Sequence, residues 1–171
     1  MRQIIRKTIV TLTLLTTLGQ LQAQTNPTEN NTPAPELEYV CELRVTCDPA
    51  YTVGNTSKGQ RVIIPITGGT FEGPKMRGTV LPGGADYQLV DHEKSRTELE
   101  AIYSICTDDN VNIHIRNCGL LCNSDGEFYF RTAPKFEAPE DSKYNWLNRA
   151  IFVCQPGFGQ GYISLKVWKV M

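Results

Sequence analysis

The stretch Glu98-Leu99-Glu100-Ala101-Ile102-Tyr103-Ser104-Ile105-Cys106-Thr107-Asp108-Asp109-Asn110-Val111-Asn112-Ile113-His114-Ile115-Arg116-Asn117 holds two strand-like runs around three turn formers. Asp and Asn tolerate the left-handed backbone that a tight turn needs, so Asp108-Asp109-Asn110 marks a hairpin. If Thr107 faces Val111, then Cys106 faces Asn112, Ser104 faces His114 and Ile102 faces Arg116. One face carries Glu100, Ser104, Cys106, Asn112, His114 and Arg116. The other carries Ala101, Tyr103, Ile105, Val111, Ile113 and Ile115, which places the apolar core on that side.

The same signals recur outward along the chain. Leu37, Tyr39, Cys41, Leu43 and Val45 alternate with period two through 37–46. A β-branched run at 61–67 is expected to end at Gly68-Gly69, and 79–81 ends at Pro82-Gly83-Gly84 with 86–90 following it. Segments 127–132, 149–154 and 161–170 complete about eight to nine short strands, at spacings that fit a barrel or sandwich. No stretch sustains a 3.6-residue apolar period over ten residues, so helix is minor. Sequential short strands without crossover helices pair antiparallel, and closing the sheet into a barrel removes edges that would otherwise aggregate.

With 171 residues, 40% of them hydrophobic and 20% charged, the chain has the profile of one globular domain. Residues 1–23 combine a basic start (Arg2, Arg6, Lys7), an apolar stretch from Ile9 to Leu18 and a close at Leu21-Gln22-Ala23, the pattern of a secretory signal peptide cut after Ala23. The apolar stretch is too short and too rich in Thr to span a bilayer, and no later segment is long and apolar enough to do so. Residues 24–36 contain three prolines and no large apolar side chain, as a flexible linker does, leaving 37–171 as a single domain. A periplasmic or secreted location follows. Removing the leader takes away three basic residues and no acidic one, which leaves the domain net acidic and argues against nucleic acid as a partner.

Six cysteines, Cys41, Cys47, Cys106, Cys118, Cys122 and Cys154, fall in the expected mature domain, and an even count in an exported domain favours disulfides. Their connectivity is open. Cys118-Gly-Leu-Leu-Cys122 is spaced as a small loop, and Cys41 with Cys47 brackets the first strand. A zinc site from His114, Cys118 and Cys122 lacks a Cys-x-x-Cys knuckle and would need reduced exported thiols. A catalytic pair of Cys106 and His114 would sit on the polar face of the hairpin.

Four segments carry a family resemblance. They are Ile64-Pro65-Ile66-Thr67-Gly68-Gly69-Thr70-Phe71-Glu72-Gly73-Pro74, then Gly78 through Tyr87, then Tyr103 with Thr107-Asp108-Asp109, and finally Tyr129 through Phe136 with Tyr144-Asn145-Trp146-Leu147-Asn148-Arg149. In this order they resemble the family called domain of unknown function 3237, also known as uncharacterised protein family 0311, over roughly residues 38 to 170. The resemblance implies a lipocalin-like antiparallel β-barrel of unassigned biochemical role. Asn110 stands where that family usually has Gly, and a leader together with six cysteines in the domain departs from its usual cysteine-poor cytoplasmic members.

Among the motif residues, Gly68, Gly69, Gly83 and Gly84 supply backbone angles closed to other residues, at bulges or corners. Asp86 follows the Pro-Gly-Gly corner, where it either caps the turn or acts as an acid or base on a bound ligand. Arg131, if inward, needs an anion such as a ligand carboxylate or Asp86. Tyr103, Phe136, Tyr144 and Trp146 are candidates for a ligand-binding wall, with Asn148 orienting the ligand; the competing reading of Phe136, Tyr144 and Trp146 is a hydrophobic plug. Three functions remain open: an exported barrel binding a small apolar or aromatic ligand, a cofactor-free isomerase or cyclase in which Asp86 moves a proton and Arg131 stabilises negative charge, and a structural domain with a filled core. None calls for a metal or cofactor, and homo-oligomerisation is left open.

Overall fold

The hairpin forms in the expected register. Thr107 N donates to Val111 O at 3.0 Å, Asn110 takes a left-handed φ of 62°, and Ile102, Ser104 and Cys106 pair with Arg116, His114 and Asn112. Tyr103, Ile105, Ile113 and Ile115 are buried on one side, and the charged residues face out on the other.

This computed structural model describes residues 33–124 and 126–171. The expected leader at 1–23 and most of the linker at 24–36 lie outside the described residues. Ten strands follow one another: β1 (Leu37–Cys47), β2 (Tyr51–Thr56), β3 (Gly59–Glu72), β4 (Arg77–Val80), β5 (Gly84–Asp91), β6 (Arg96–Thr107), β7 (Asn112–Ser124), β8 (Glu127–Glu137), β9 (Phe152–Phe158) and β10 (Ile163–Val170). The only helix among the described residues is a 3-10 turn at Asn145–Arg149. Neighbours run β1-β10-β9-β8-β7-β6-β4-β3, every pairing is antiparallel, and β1 pairs back onto β3, so the sheet closes into a barrel. Strands β4 and β5 share one stave. β4 joins the second half of β3 to the end of β6, β5 joins the first half of β3 to its start, and the break at 81–83 is stitched on both sides by Leu81 N to Ser104 O and Gly83 N to Ile66 O.

Two expectations need correction. Gly68-Gly69 does not end a strand, because β3 runs through it. At this point β1 approaches so closely that a Cβ on Gly69 would stand 2.0 Å from Arg44 O, and the register of β1 against β3 slips between Thr46 and Cys47. The glycines mark a bulge rather than a stop. The two disulfide brackets are also not formed, and no S–S bond joins the six cysteines in this structure. Cys118 and Cys122 lie on one extended strand, about 13 Å apart for four residues, and Cys41 and Cys47 are farther apart along β1; a disulfide needs Cα atoms within about 7 Å.

Only half of the barrel is filled. At the end where β6 turns into β7, Val40, Phe71, Ile105, Ile113, Phe136 and Phe152 pack together, and the segment leading through the 3-10 turn lays Tyr144 and Leu147 on top of them. Phe136 meets Phe152 edge-on at 4.9 Å, and Trp146 adds a third ring 5.9 Å from Phe152. Tyr144 Oη donates to Asp109 Oδ1 at 2.8 Å, tying this plug to the hairpin turn. The core stops near Tyr103.

Candidate functional site

Beyond Tyr103 the interior is open. A cavity of about 200 Å3 occupies the other half of the barrel. One wall, from β1, β3, β9 and β10, is apolar: Val45, Ile64, Ile66, Pro156, Ile163 and Leu165. The facing wall, from β5 to β8, carries the polar groups. Asp86 pairs with Ala101 and Ala101 with Asn117, so Asp86 and Asn117 stand on one level of the barrel with only a methyl between them. One level further along, Gly119 pairs with Thr132, and Thr132 with Cys154.

Three oxygens in this wall are buried without a hydrogen-bond partner: Asp86 Oδ1, Asn117 Oδ1 and Thr132 Oγ1. An unpaired buried polar atom costs about 1–3 kcal/mol, so most are satisfied in folded proteins. Here the three residues that hold such oxygens among the described residues all line one cavity. Asp86 is not a turn cap. It sits within β5, its second oxygen accepts from Gln88 Nε2 at 2.8 Å, and burial raises its carboxyl above the ordinary range against the opposing effects of that hydrogen bond and of the Glu100 backbone. Burial likewise raises the Tyr103 hydroxyl. Around the same barrel, desolvation pushes Cys154 up to about 11 and Cys41 to about 12. The neighbouring Thr132 hydroxyl works against the effect of burial at Cys154. Cys47, on the same face of β1 as Leu43 and Val45, lines the cavity near Asp86, whose charge adds to the burial that raises this thiol.

Of the catalytic and ligand-binding candidates read from sequence, the structure brings Asp86 and Tyr103 together in the cavity and leaves the others out of it. Arg131 is exposed on the outer face of β8, donates to Phe130 O at 2.6 Å and stacks over Tyr129 at 5.8 Å, so the expected partnership with Asp86 is not made. Phe136, Tyr144 and Trp146 belong to the plug at the other end. Asn148 uses its side chain to hold Ala138, accepting from its N at 2.9 Å and donating to its O at 2.8 Å. Phe136 and Asn148 also border a separate surface groove beside the 3-10 turn. Cys106 and His114 face outward from the hairpin. Asn117 and Thr132 escaped the sequence reading although parity marks both: Asn117 follows Ile113 and Ile115 at period two, and Thr132 lies between inward Phe130 and Phe136.

Fold and site together define an antiparallel β-barrel with one plugged end and one cavity whose apolar walls surround a few polar atoms. The chain belongs to the family described as "Protein of unknown function (DUF3237)", whose sequence profile matches residues 35–170. A UPF0311 protein of Clostridium acetobutylicum is 36% identical over 148 residues, which cover 78% of this chain and 92% of that one. The crystal structure of a β-barrel-like protein from Acinetobacter baumannii superposes with a TM-score of 0.75 at 29% identity, covering 84% of this chain and all of the other. A protein of Penicillium herquei named "Hydroalkoxylation enzyme phnH" is 31% identical over 142 residues, 80% of this chain and 84% of its own length.

Proposed function

We propose that the chain binds a small, largely apolar organic molecule in the open half of its barrel. The observation that carries this reading is an otherwise apolar cavity lined by three residues, Asp86, Asn117 and Thr132, that each hold a buried oxygen with no hydrogen-bond partner. Pockets that hold small molecules combine apolar walls with a few polar groups that fix orientation. Native mass spectrometry of the protein isolated from its own cells tests the reading. A retained organic molecule released on denaturation is expected. A mass equal to the bare polypeptide, with no change in melting temperature across a set of neutral bicyclic aromatics, contradicts it.

A second reading, catalysis, is favoured by the Asp86 carboxyl. Burial raises its pKa above that of an exposed carboxyl, the direction that suits a general acid. The name of the Penicillium relative indicates addition of an O–H across a carbon–carbon double bond. In such an addition the Asp86 proton goes to one alkene carbon, a substrate oxygen bonds to the other, and the carboxylate takes the hydroxyl proton; the sum is redox-neutral. Asp86→Asn then abolishes turnover while a ligand still binds. Undiminished turnover in that variant would remove Asp86 from the chemistry.

Export belongs to the same proposal. The basic start, apolar stretch and Leu21-Gln22-Ala23 close support cleavage after Ala23 and a periplasmic or secreted destination. Protein recovered outside the cytoplasm with Gln24 as its first residue is expected; cytoplasmic protein retaining Met1 contradicts it.

A further inference from the structure

We infer that the Asn117 carboxamide and the Thr132 hydroxyl form a second polar subsite, beside Asp86, that reads a hydroxyl group on an uncharged ligand. The inference rests on the cavity reading above and adds the chemical class of the occupant. Asn117 is 4% exposed and Thr132 8%, and each has an oxygen with no partner. Their placement follows from two small residues in the same wall. Ala101 leaves the space between Asp86 and Asn117 open, and Gly119 leaves room for the Thr132 methyl, since a Cβ there would stand 2.2 Å from Thr132 Cγ2.

The charge of the ligand follows from what the wall lacks. No Lys, Arg or His is among the residues that line the cavity, and Arg131, the nearest basic residue along β8, faces outward. A carboxylate or phosphate would therefore enter a low-dielectric space beside Asp86 with no countercharge, which is costly. A hydroxyl fits instead, because it donates to an oxygen of Asn117 or Asp86 and accepts from Thr132 in the same pose. An ether can only accept, and would leave those oxygens unpaired.

Calorimetric titration of the protein with 2-naphthol, 2-methoxynaphthalene and 2-naphthoate tests the inference. The naphthol is expected to bind about ten-fold or more tightly than either analogue. In Asn117→Leu, and in the near-isosteric Thr132→Val, whose folding is checked by circular dichroism, the preference for naphthol over the ether is expected to collapse toward equality. Equal binding of naphthol and ether by the unsubstituted protein, or a preference that survives in both variants, overturns the subsite while leaving the cavity reading intact. Failure of all three probes to bind overturns both.

Discussion

Asp86 shows how one residue links stability to use of the cavity. Burial raises its folded pKa above the unfolded value, so the folded state holds the proton more tightly. The sign follows from linkage: stability is fully present below the unfolded carboxyl pKa and is lost as pH rises through the raised folded value. Asp86→Asn removes that loss, so the variant is expected to melt at a higher temperature than the parent at pH 7, with the difference shrinking toward pH 3. Calorimetric melts at the two pH values check this, and a variant less stable at pH 7 would mean the carboxylate is structurally required. The residue scale also shows what parity alone conveys. Phe130, Thr132, Pro134 and Phe136 alternate inward along β8, and this sends Arg131 outward however well a guanidinium would have suited the chemistry.

Elements were legible wherever one face is apolar and a turn residue fixes the register. The β6–β7 hairpin has both, and its pairing follows from setting Thr107 opposite Val111. β3 was not legible through Gly68-Gly69. A glycine that ends a strand and a glycine that admits a neighbouring backbone look alike until β1 is in place beside it. β2 was missed as well; it pairs only with β3, and five of its six residues are exposed, so no buried face imposes alternation. The plug remained ambiguous because Phe136, Tyr144 and Trp146 serve equally as a pocket wall or as core. Its energetic weight is testable: Leu147, 1% exposed beneath the 3-10 turn, should cost about 2–5 kcal/mol when cut back to Ala, measured by urea unfolding. A loss under about 1 kcal/mol would mean the turn only rests on the barrel.

At the scale of the whole molecule the barrel divides its labour. Large side chains and the plug hold one half closed, and this supplies the stability that lets the other half keep an open, partly polar interior. The fold class was readable from strand spacing, but the division was not, because it depends on where a segment distant in sequence lands across the barrel end. The central claim is that a ligand enters the half away from the plug and meets the Asp86 wall. Amide chemical shifts recorded by 15N NMR during a titration with 2-naphthol test this most directly. Saturable shifts are expected at Ala101, Asn117, Leu121, Thr132 and Ile163, with Tyr144 to Arg149 unmoved. Shifts confined to Tyr144 to Arg149, or none that saturate, would contradict the claim.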